Sequence, residues 1–163
     1  MEWLAGGVIV WLLWHFVGRH AVNAAASEPT PSTVRRPSPT ATFEWPPLGE
    51  YDFEVVGEGF CQPQLKAMVG DHGTDSAEMH TTAFLVPDDK NKHDDKAVRV
   101  DIGGYTVGHL SKNDARSFRK RLSAKKMSGA TTSCKAVIMG GFTNRAGEKA
   151  SYGVRLDINP FDN

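Results

Sequence analysis

The chain has only two cysteines, Cys61 and Cys134, 73 positions apart and outside any CxxC or Cys/His ladder. Such a pair builds neither a zinc site nor a disulfide framework, and buried free thiols are its ordinary state. Catalytic signatures are missing as well. The six histidines are scattered without HExxH or HxH spacing, and there is no GxSxG elbow and no phosphate-binding glycine loop ahead of a Lys-Ser/Thr pair. The usual hydrolase, metalloprotease and nucleotide-hydrolysing chemistries are left without residues, so no catalytic group, metal ligand or cofactor is expected. Net charge is absent too, with 19 Lys+Arg against 19 Asp+Glu. Long apolar runs are limited to one, at the N-terminus.

That run, WLAGGVIVWLLWHFVG at residues 3–18, is apolar except for His15, and its three tryptophans suit a membrane interface. As a helix it spans about 24 Å, somewhat short of the roughly 20 residues a bilayer asks for. Ala21 to Ala26 extend it, with Arg19 reaching back toward headgroups. A cleaved signal peptide is the rival, since Ala24-Ala25-Ala26 offers a small-residue cleavage site. Against it, the only charged side chain before the run is Glu2, while Arg19, Arg35 and Arg36 follow. The expectation is a transmembrane anchor over 1–26 with the C-terminal side in the cytoplasm; secretion after cleavage is the alternative.

Residues 27–50, SEPTPSTVRRPSPTATFEWPPLGE, hold six of the nine prolines and almost no aliphatic side chains before Phe43. That composition predicts a disordered, semi-rigid spacer. The remainder, 51–159, alternates apolar and polar residues as half-buried strands do: Phe53 and Val55, then Val98, Val100 and Ile102, then Tyr152, Val154, Leu156 and Ile158. Two short apolar runs, 82–86 and 136–139, add buried strands, and 160–163 is a tail. Gly103-Gly104 marks a two-residue hairpin. Helices are expected at 63–69, before Gly70, and at 111–127. The second opens with Ser111 and Asp114 in the spacing of a capping box and carries Ala115, Phe118 and Leu122 on one stripe. The fold class is mainly β (α+β), with about six strands and one or two short helices.

Charge is unevenly placed along this domain. Residues 50–111 carry 5 Lys/Arg against 12 Asp/Glu, a balance of −7, and residues 112–155 carry 11 against 2, a balance of +9. One face can therefore be basic while the total stays neutral, although two solvated faces that merely offset each other give the same counts.

Several pieces in order resemble the HIRAN family. They are Asn91-Lys92-His93-Asp94-Asp95-Lys96-Ala97-Val98-Arg99-Val100, then the hairpin, then Val107-Gly108-His109-Leu110 leading into a helix. Val55-Val56-Gly57-Glu58 with Phe60 looks like the family's opening, and Tyr152-Gly153-Val154-Arg155-Leu156 like its close. The resemblance covers about two-thirds of the chain. It implies an OB-like β-barrel that captures the 3′ end of single-stranded DNA without catalysis. Carried onto this sequence, His93 is the stacking surface and Asp94 the acceptor for the terminal 3′-hydroxyl. His109, Lys112 and Arg116 meet base or phosphate, and Phe60 presents an aromatic to the base. The sequence departs from the family's pattern at Lys92, at Lys96 and at Cys61, which replace the usual proline, asparagine and aromatic.

Each of these residues also has a plainer role. Asp94 suits an Asx turn that holds its own loop, His109 a partly buried strand end, and Phe60 simple packing. The rival functions are a protein-interaction module at the membrane, and a metal-binding or hydrolase-associated domain in which Asp88, Asp89, His93, Asp94 and Asp95 form the metal loop.

Overall fold

A computed structural model of the chain describes residues 35–159. The expected membrane anchor at 1–26 and the tail at 160–163 lie outside the described residues. Among the described residues, no helix is long and apolar enough to cross a membrane.

The elements run β1 (Phe43–Glu44), β2 (Phe53–Glu54), a 3-10 turn (Glu58–Cys61), α1 (Gln62–Val69), β3 (Ala77–Pro87), β4 (Val98–Ile102), β5 (Tyr105–His109), α2 (Lys112–Ala124), β6 (Thr132–Gly140) and β7 (Tyr152–Asp157). Six strands form one antiparallel sheet in the order β2-β7-β6-β3-β4-β5, curled into a half-barrel, and β1 lies parallel to the start of β6. One short stretch of chain touches both edges of that sheet. Phe53 pairs with Leu156 of β7, and three residues on, Val56 and His109 of β5 exchange N–H···O bonds of 2.9 and 2.8 Å.

Alternation explains which side chains face inward. Leu85, Val100, Val107, Ala136, Ile138, Val154 and Leu156 are essentially fully buried, together with Leu65 of α1 and Ala115, Phe118 and Leu122 of α2. Burying a Leu or Phe side chain contributes about 1.5–3 kcal/mol, so the α2 stripe is a substantial part of the core. β3 and β6 run longer than expected because outward positions such as Glu78, His80 and Lys135 are polar and interrupt the apolar runs without ending the strands.

Three glycines are set by backbone geometry or close approach. Gly103 and Gly104 both have positive φ, 58° and 86°, as a tight hairpin between Ile102 and Tyr105 requires. Gly108 lies at the seam between β5 and Val56. A Cβ there would stand 2.5 Å from Val55 Cγ1 and 2.7 Å from the Val56 carbonyl oxygen, so the edges of the sheet meet only because position 108 has no side chain.

The spacer expected over 27–50 needs correction for its described part. Arg36 donates its N–H to the Gly104 carbonyl at 2.8 Å, and Thr42 and Trp45 donate theirs to Thr131 and Ser133, each at 2.8 Å. Trp45 is 7 % exposed, and its indole N–H donates to Thr132 Oγ1 at 2.9 Å. Phe43 and Trp45 supply the apolar area that the prolines made easy to overlook. Pro46-Pro47 fall just past the two-residue strand, where no ladder N–H is needed. The packed domain thus includes residues well before Tyr51.

Candidate nucleic-acid interface

The loop between β3 and β4 is organised by its own side chains. Asn91 Oδ1 accepts the N–H groups of His93 at 3.0 Å and Asp94 at 3.3 Å. Asp94 Oδ1 then accepts the N–H of Lys96 at 2.9 Å. These are successive Asx-type turns, which short polar side chains favour. Backbone bonds from Asp88 N–H to the Ala97 carbonyl (2.9 Å) and from Ala97 N–H to the Asp94 carbonyl (3.0 Å) close the loop.

Two arginines of α2 fasten this loop from the side. Arg116 reaches Asp94 with both terminal nitrogens, at 3.1 Å to Oδ2 and 3.4 Å to Oδ1. Arg119 pairs with Asp89 at 2.6 Å and donates to the carbonyls of Lys96 and Ala97, both at 2.8 Å. The helix offers these residues correctly because its start is fixed: Ser111 Oγ accepts the Asp114 N–H at 3.2 Å. The Asp114 carboxylate returns to the Ser111 hydroxyl rather than to its backbone N–H, since aspartate is one methylene shorter than the glutamate of a capping box.

The side chain of Asp94 is 11 % exposed. The Lys96 N–H holds its carboxyl below the usual carboxylate range; desolvation opposes this, and Arg116 and Lys112 add to it. An ionised carboxylate accepts about four hydrogen bonds, so Oδ2, with one close donor, keeps acceptor capacity. His93 beside it is exposed, with its backbone N–H engaged by Asn91. Lys112 is exposed, and its carbonyl accepts from Arg116 at 2.9 Å.

His109 is placed differently. Its ring is half-buried, and burial holds the imidazole below its ordinary value; Asp88 opposes, Arg99 reinforces and Asp101 opposes. It is therefore a neutral donor and acceptor at neutral pH, not a cation for phosphate. Phe60 is 45 % exposed on the 3-10 turn, which packs against β5 and β7. No hydrogen bond or ring contact joins Phe60 to the other candidates among the described residues. The structure thus places His93, Asp94, Lys112 and Arg116 at the junction of loop and helix, His109 on the neighbouring strand end, and Phe60 on the 3-10 turn that packs against that strand.

Sequence reasoning passed over Asn91 as the loop's organiser and Arg119 as its clamp. The spacing of Asn91 from His93 was the available signal for the first; the second depends on a contact across 30 residues. Of the four acidic side chains in the suggested metal loop, three meet cations, Asp89 on Arg119, Asp94 on Arg116 and Asp95 on Lys96, and Asp88 accepts from the Asn91 amide. Among the described residues, no group of three or more His, Cys, Asp or Glu is placed to hold a metal ion. Both cysteines are free and buried, and burial pushes the Cys134 thiol up to about 12. A scan against protein-family models, a search of curated proteins and a search of solved structures each find no match.

Proposed function

We propose that this domain is a HIRAN-type, OB-like module that binds single-stranded nucleic acid without catalysis, with preference for a DNA 3′ end. In the same reading, residues 3–18 tether it to a membrane with the domain on the cytoplasmic side, where DNA is accessible. The observation that carries the proposal is the Asp94 carboxylate, ionised and fixed by Lys96 and Arg116 beside the exposed His93. A terminal 3′-hydroxyl is a donor, so a fixed carboxylate with spare acceptor capacity receives it; an internal phosphodiester has no donor at that position. Stacking of the last base on an aromatic or imidazole face contributes about 1–3 kcal/mol. Lys112 and Arg116 neutralise the following phosphates and release counterions.

The test is fluorescence anisotropy with a short oligothymidylate carrying either a free 3′-hydroxyl or a 3′-phosphate. The free end should bind more tightly, Asp94→Asn should erase that difference, and Lys112→Glu should weaken both ligands alike. Equal binding of the two ends removes the end-specific part of the reading. Absence of binding by single-stranded DNA and RNA at about 50 mM salt removes the nucleic-acid reading altogether.

A further inference from the structure

We infer that the groove between β1 and the C-terminal end of α2 is a docking site for an acidic peptide segment that carries an apolar side chain. The groove encloses about 670 Å³ and is walled by Phe43, Trp45, Pro46 and Ile158 on the apolar side and by Arg121 and Lys125 on the other. Its aromatic floor is rigid. The Phe43 and Trp45 rings meet edge to face at 5.0 Å, and the Trp45 indole N–H is tied to Thr132.

The Lys125 ammonium stands 5.6 Å from the Phe43 ring centre and 5.8 Å from that of Trp45, close enough for a cation–π contact. The Arg121 guanidinium lies 5.9 Å from the same indole. Several cations of the domain sit against acids: Arg116 against Asp94, Arg119 against Asp89, Lys135 against Glu44 and Arg155 against Glu54. Lys125 meets no carboxylate among the described residues. An ammonium over apolar surface complements a ligand with a carboxylate next to an apolar side chain.

A strand of nucleic acid fits this place less well. Trp45 is 7 % exposed, with Arg121 and Lys125 over it and the Phe118 ring at 6.2 Å, so a base finds no open face to stack on. The groove is also separate from the loop site. Positions 121 and 125 lie about half a turn around the helix from positions 112 and 116. The proposal therefore does not rest on the nucleic-acid reading.

The experiment titrates the full chain, in detergent micelles, with a fluorescein-labelled hexapeptide of two central leucines flanked by four aspartates. Saturable, salt-sensitive binding is expected, and replacing the aspartates by asparagines should abolish it. Lys125→Glu should weaken it about tenfold and Lys125→Gln less, with unchanged melting temperatures; Asp94→Asn should leave it unaltered. Absence of saturable binding, or equal binding by Lys125→Glu, overturns the proposal. Displacement of the peptide by oligothymidylate reassigns the groove to nucleic acid.

Discussion

Asp157 joins the last strand to the segment that precedes the first long one. Its carboxylate accepts the N–H groups of Leu48, Gly49 and Glu50 at 2.9–3.1 Å while the residue is 1 % exposed. Desolvation pushes its carboxyl up, but these N–H groups outweigh it and hold the value below the ordinary carboxylate range. Asp94 and Asp71 are also held low, each chiefly by a backbone N–H. A carboxyl that binds its proton less readily when folded contributes stability above its unfolded value, near 4, and that contribution is lost as pH falls through the folded value. Urea unfolding should therefore show stability dropping on the acid side of pH 4. Asp157→Asn should cost about 2 kcal/mol at neutral pH, with a smaller difference from the parent chain in acid. A cost that stays constant with pH would show that the charge is not what holds residues 48–50.

Among the elements, α2 carries the most consequence, since it closes the core with one stripe and fastens the loop with another. Its cap should be worth about 1 kcal/mol, read as the loss on Ser111→Ala. Arg119→Ala should act locally. Hydrogen exchange in residues 88–97 should speed up while the melting temperature changes little, and affinity for oligothymidylate should fall because Asp94 and His93 lose their fixed bearing. Faster exchange without an affinity change would separate the loop from binding. These elements differ in how far the sequence foretold them. The cap at Ser111, the Gly103-Gly104 hairpin and the Phe118 stripe follow from residues within one or two turns of each other, so local pattern was enough. β1 did not follow, because two residues carry no periodicity and the partner, Thr132, is 89 positions away. The Asp94–Arg116 pair spans 22 positions, so the basic face of α2 was visible as composition while its role in holding the loop was not. The Asx turn foreseen for Asp94 is present through Oδ1, while Oδ2 is engaged by Arg116.

At the scale of the whole molecule, the acidic first half and the basic second half of the domain are interleaved in space. Asp89 and Asp94 meet α2 directly, which leaves Lys112 and Lys120 as its exposed lysines outside any salt bridge among the described residues, beside the half-exposed Arg116. Two or three phosphate contacts then set the salt dependence, and log affinity for a single strand should fall with a slope of about −2 against log salt. A slope several times steeper would require a basic track that the described residues do not provide.

The seam between Val56 and His109 gives this domain a built-in gauge. Those two amide protons are shared between the edges of the sheet, and Gly108 alone keeps the edges within reach. Their exchange with deuterated solvent should time the parting of the edges rather than the unfolding of any one strand. Gly108→Ala should run that clock faster and cost about 1–3 kcal/mol. His109 stands two residues before the Ser111 cap, so a ligand seated on the first turn of α2 should slow it, letting the two protons of the adjoining seam record its arrival.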